Sequence, residues 1–142
     1  MGCDIHLHVE LRVNGKWEHY AMPAVDRWYS LFGVMAGVRG GEQPIVQPKG
    51  VPEDMSVITR LCYEYDGQDA HTASWFNEEE INRLSCWLEQ KQKLNQYSGY
   101  SLEYGVLKGT YLFGDGLTDF KTCPGCLPKG CDSVRLVFWF DS

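Results

Sequence analysis

The first thirteen residues, MGCDIHLHVELRV, alternate with a period of two, and this constrains the fold more than any other part of the chain. In an extended strand, alternate side chains share a face. Cys3, Ile5, Leu7, Val9, Leu11 and Val13 are therefore expected in a core, with Asp4, His6, His8 and Glu10 together on the opposite face. The polar set has two imidazoles flanked by two carboxylates. Such a set can bind a metal, shuttle protons or grip a polar ligand, and a solvated strand face carries the same residue types.

The other end of the chain alternates too. Within 133–141, Val134, Leu136, Phe138 and Phe140 share one face, and Arg135, Val137, Trp139 and Asp141 the other. If the terminal strands pair, Arg135, Trp139 and Asp141 line the same surface as His6 and His8. Between these ends, Asn14–Gly15 signals a hairpin, with 16–21 returning, Trp17 and His19 on one face, and His19 an exposed residue. Asp26 suits the N-cap of a helix over 27–38, with Trp28, Leu31, Phe32, Met35 and Val38 as its apolar stripe and Arg39–Gly40–Gly41 closing it. Residues 43–55 hold three prolines and read as an extended connector that packs over something. Asn77 and Glu80 have capping-box spacing and open a second helix with Ile81, Leu84, Leu88 and Trp87, ending near residue 94. A short strand is expected at 109–113, with a turn at 114–116.

These elements predict a single α+β domain over 1–142: a mainly antiparallel sheet containing the N- and C-terminal strands, covered on one side by two helices. At 142 residues, 44% apolar and 23% charged, the composition is globular. A net charge of −6 argues against a nucleic-acid polymer as partner, which needs a basic face. No apolar run approaches the roughly 20 residues that span a bilayer, and the start does not read as a signal peptide, so a cytoplasmic location without membrane partners is expected. Homo-oligomerisation stays open.

Cys3, Cys62 and Cys86 are expected to be small buried residues. Cys123, Cys126 and Cys131 crowd into a Gly/Pro-rich turn; CPGC is half of a zinc knuckle. A structural zinc, a reduced loop and a redox role all remain open there.

Two further clusters carry possible chemistry. DGQDAHTASW (66–75) brings Asp69, His71, two hydroxyls and Trp75. Together with Asp4, His6 and His8, His71 would complete a ligand set for a divalent metal such as zinc or manganese, with Asp69 or Glu10 as general base. Arginines and aromatics form the other cluster: Arg27, Arg39 and Arg135 for phosphate, Trp75 and Trp139 for stacking. No phosphate-binding glycine loop or nucleophile elbow is present.

MGCDIHLHVE, DRWYSLFGVMAGVRG, PKGVPEDMS, HTASW and VRLVFWFD resemble a family of small bacteriophage and prophage proteins. Relatives usually read RNYDLF where this chain has RWYSLF at 27–32, so Trp28 and Ser30 depart from the pattern. The resemblance implies a phage setting in the host cytosol, where small accessory proteins counter host defence. It implies no particular reaction.

The leading expectation is a protein that sequesters a small nucleotide-like ligand such as a host immune signal, with His6, His8 and His71 donating hydrogen bonds. On that reading, affinity rises as the histidines protonate near pH 6.5. The alternative is a divalent-metal-dependent hydrolase or phosphoesterase built on the Asp/His cluster.

Overall fold

The computed structural model describes residues 2–22, 25, 27–93 and 130–142. Four strands, β1 (Asp4–Val13), β2 (Lys16–Ala21), β3 (Ala70–Phe76) and β4 (Cys131–Asp141), form one sheet in the order β2-β1-β4-β3, with every neighbouring pair antiparallel. The terminal strands pair along their length: Asp4 faces Asp141, His6 faces Trp139, His8 faces Val137 and Glu10 faces Arg135. Directly opposed residues point to the same face. The two alternating patterns therefore merge into one apolar and one polar surface. Asn14 and Gly15, both at positive φ (53° and 78°), make the tight hairpin between β1 and β2.

Among the described residues there are three α-helices: α1 (Tyr29–Ala36), α2 (Val57–Asp66) and α3 (Glu78–Lys93). α1 and α3 cover the apolar surface. Trp28, Leu31, Phe32 and Met35 from around α1, and Ile81, Leu84 and Leu88 from α3, join the β1 and β4 apolar residues and Phe76 in one buried core. α1 is shorter than the predicted 27–38 helix. It stops at Gly37, in left-handed conformation (φ 74°), whose N–H donates to Gly33 O while Val38 N–H donates to Phe32 O. The chain then folds back so closely that a Cβ on Gly40 would sit 2.4 Å from Tyr29 O. Asp26 lies outside the described residues, as do the strand expected at 109–113, the turn at 114–116 and the predicted end of the second helix near 94. At the start of α3 the capping box forms in both directions: Glu80 N–H donates to Asn77 Oδ1 (3.0 Å) and Asn77 N–H to Glu80 Oε1 (2.9 Å).

α2 corrects the picture of a sheet covered on one side. It lies across the polar surface and makes the domain three layers deep. Ser56 caps it, accepting from Thr59 N–H, and Gly67 ends it; these flanking residues are the signals in the sequence that mark it. Its amphipathicity is inverted. Thr59 is fully buried against the sheet, while Val57, Ile58, Leu61 and Tyr65 are exposed. DGQDAHTASW is likewise ordered throughout: Asp66 ends α2, Gly67–Asp69 form a 3-10 turn, and the rest runs in β3. The connector 43–55 runs beside it, with Gly50 N–H donating to Ala73 O and Lys49 N–H to Ser74 Oγ. No helix among the described residues is long and apolar enough to cross a membrane.

Candidate functional site

α2 turns the polar sheet surface into an interior of hydrogen-bonded charges with several open recesses, two of them lined by Arg135 or Trp139. At its centre Glu10 and Arg135 are both buried. Arg135 Nε donates to Glu10 Oε1 (2.8 Å), and Glu10 Oε2 accepts from Ser56 N–H (2.7 Å). Arg135 Nη1 reaches Asp54 Oδ1 at 2.8 Å. Burial by itself would raise the Glu10 carboxyl. The bonds from Ser56, Thr59 and Arg135 outweigh burial and hold it below the usual carboxylate range. This arginine is thus engaged by two carboxylates, and Glu10 by an arginine and a backbone N–H.

Arg135 also forms the floor of an aromatic recess. Its guanidinium lies 4.0 Å from the centre of the Trp17 ring and 5.9 Å from that of Trp75. Trp17, Trp75, Pro52, Glu53 and Asp54 border a cleft of about 500 Å³ over it. Lys49 Nζ sits 3.6 Å from the Trp75 ring centre and 2.7 Å from Glu80 Oε1. Trp17 joins the site because the hairpin register sets it opposite Arg12, on the face of Glu10. The alternation of β2 carries that signal, and the cross-strand register supplies the rest.

The second recess, about 290 Å³, opens over His6, His8 and Trp139 and is walled by Leu61, Cys62, Tyr65, Asp66 and Met22. His6 Nε2 is 2.5 Å from Asp141 Oδ2 and 3.7 Å from Asp66 Oδ2; a carboxylate accepts, so this nitrogen carries the proton. Trp139 Nε1 donates to Asp66 Oδ2 (2.6 Å). The Trp139 ring is fully buried, stacked on His8 with centroids 4.7 Å apart and meeting Tyr63 edge-on. That leaves it no open face for a ligand.

His8 Nδ1 lies 3.1 Å from His19 Nε2, so His19 is a half-buried partner rather than the exposed residue expected from the hairpin. Burial first, then the neighbouring His19 and His6, push His8 down to about 4. The expected gain of a proton at His8 near pH 6.5 is therefore not met in this environment.

The remaining expected residues lie elsewhere. His71 pairs with Phe140, and its ring stacks on that core residue. It therefore faces away from His6 and His8, with Thr72 Oγ1 (2.9 Å) and Ser142 Oγ (3.0 Å) as partners. The cause is an irregularity in β3 at Thr72, where φ is 53°. Asp4 is exposed and held by Arg27 through two bonds (2.8 and 3.2 Å). That contact keeps its carboxyl below the usual range. Asp4, His6, His8 and His71 thus do not converge, and among the described residues no group of three or more His, Cys, Asp or Glu side chains is arranged to hold a metal ion. Arg39 is exposed and lies 5.7 Å from the Tyr29 ring centre, and Asp69 is exposed in the 3-10 turn Gly67–Asp69.

Of the cysteines, Cys3 is buried, Cys62 half-buried and Cys86 exposed, the last contrary to expectation. Cys131 is a free, half-buried thiol directed at Ser133 O (3.2 Å). Cys123 and Cys126 lie outside the described residues.

Compared with known proteins, the chain matches no family model, no curated protein and no solved structure.

Proposed function

We propose that this chain binds a small, planar, nucleotide-like molecule and holds it without turnover. The observation that supports this most is the cleft between Trp17 and Trp75. Two indoles border an open cleft of about 500 Å³, larger than a nucleobase. An aromatic wall takes the face of a base, and Lys49, seated over the Trp75 ring and paired with Glu80 at 2.7 Å, has two further ammonium donors for an attached phosphate. Glu53 and Asp54 offer acceptors to exocyclic amino groups. Arg135, neutralised by Glu10 and Asp54, acts as a rigid floor and leaves the phosphate to Lys49. The resemblance to phage proteins gives such capture a purpose, namely withholding a nucleotide signal from the host.

The test is calorimetric titration against a panel of linear and cyclic nucleotides, with the ligand recovered and weighed afterwards. At least one member should bind in the micromolar range and return intact. Trp75→Ala should weaken it by about 5- to 150-fold, the range set by loss of one base–aromatic stack. No binding by any member, or binding unchanged in both Trp17→Ala and Trp75→Ala, rules this site out.

A further inference from the structure

From the outward face of α2, we infer that the protein self-associates, two copies pairing their α2 helices antiparallel about Leu61. All six of the exposed large hydrophobic residues among those described, Tyr20, Met22, Val57, Ile58, Leu61 and Tyr65, lie on α2 or at the end of β2. Tyr65 is 91% exposed and Val57 73%, in a helix that presents its hydroxyl-bearing Thr59 to the interior instead. A helix that lies on a charged sheet surface needs a polar inner face, but nothing in that packing requires an apolar outer one. The outer stripe therefore implies a second surface to cover it.

The spacing and charges of the stripe select a copy of itself. Val57, Leu61 and Tyr65 are four residues apart and form one ridge. In an antiparallel pair centred on Leu61, each Val57 meets the Tyr65 of the second copy and the two Leu61 side chains meet on the symmetry axis. Arg60 and Glu64, both exposed, flank the ridge on the same side. The two-fold keeps that side together, so each Arg60 falls within about 3 Å along the helix axis of the other copy's Glu64, two residues at 1.5 Å rise. Two symmetric pairs of opposite charge result, whereas a parallel two-fold would carry the charged flanks to opposite sides of the ridge and leave neither charge a counter-charge. Arg60 stays available for this because its present bond, Nη2 to Glu53 O (2.8 Å), uses one donor of five. Leu61 and Tyr65 also wall the recess over His6 and His8, so the second helix covers that wall.

Two ten-residue helices bury less than a standard interface of about 1,600 Å², so a weak dimer is expected. Sedimentation velocity of the full chain in reducing buffer, from about 1 to about 200 µM, reads it as mass action. The wild type should move from monomer to dimer across that range, and Leu61→Glu should stay monomeric. Arg60→Glu should weaken association at least about tenfold by opposing like charges, and the swap Arg60→Glu with Glu64→Arg should restore it. Circular dichroism should show all of these surface variants folded. A wild type that stays monomeric throughout, a dimer that survives Leu61→Glu, or a swap that fails to rescue the single reversal overturns the pairing.

Discussion

Removing Arg135 should be among the most damaging single changes this protein can suffer, and removing its partner along with it should be milder. In Arg135→Met the stem volume is kept, but Glu10, fully buried, loses its ion partner and retains only the donors of Ser56 and Thr59. A buried charge left without its counter-ion costs about 3–5 kcal/mol, roughly a fifth or more of a typical domain's total stability. Glu10→Met strands Arg135 in the same way, although Asp54 at 2.8 Å softens the loss. In the double variant both charges are gone. What remains is Ser56 N–H without its acceptor, about 1–3 kcal/mol, and a mostly exposed Asp54, about 0–1 kcal/mol. The double variant should therefore be more stable than Arg135→Met, a strongly non-additive cycle.

Urea titration at pH 7, followed by tryptophan fluorescence and circular dichroism, measures all three. The same contacts fix the acid limb. The folded Glu10 carboxyl lies below its unfolded value, so its contribution is present above about pH 4.3 and is lost as pH falls through the folded value. Arg135→Met should move that loss to higher pH. If Arg135→Met costs less than about 1 kcal/mol, or the two single costs simply add, the pair is not the buried, mutually dependent unit described above.

Three further expectations follow from particular contacts. His8 is held neutral down to about 4 against about 6.5 unfolded. Stability should therefore fall between pH 6.5 and 4 by up to about 3 kcal/mol; His8→Phe, which keeps the stack on Trp139, should flatten this limb in denaturation curves taken at each pH, and an unchanged limb would show the proton lands elsewhere. Asn77→Ala removes one half of the capping box and should cost about 1 kcal/mol in urea midpoint terms, with no cost counting against the cap. Thr72→Gly relieves a β-branched residue at φ 53° and should stabilise by up to about 1 kcal/mol, net of the bond to His71; a loss of stability would mean that bond outweighs the strain.

Much of this fold is legible along the chain because its signals are local. Period-two alternation defines β1 and β4, Asn14–Gly15 defines their hairpin neighbour, and Asn77 with Glu80 starts α3. The same alternation also sorts Glu10, His8, Trp139 and Arg135 onto one face. What covers that face is decided only in three dimensions. α2 turns Thr59 inward and displays Val57, Ile58, Leu61 and Tyr65, so hydrophobic periodicity read along the sequence points its buried side the wrong way. Once α2 is in place, desolvation turns an apparently solvated row into a buried ion pair and a neutral histidine pair, and residues 52–54 of the connector make Trp17 a wall of the cleft. His71 shows the other limit. One irregular residue in β3 reverses the face of its neighbours, and no spacing rule applied to HTASW counts that residue before the strand has found its partner.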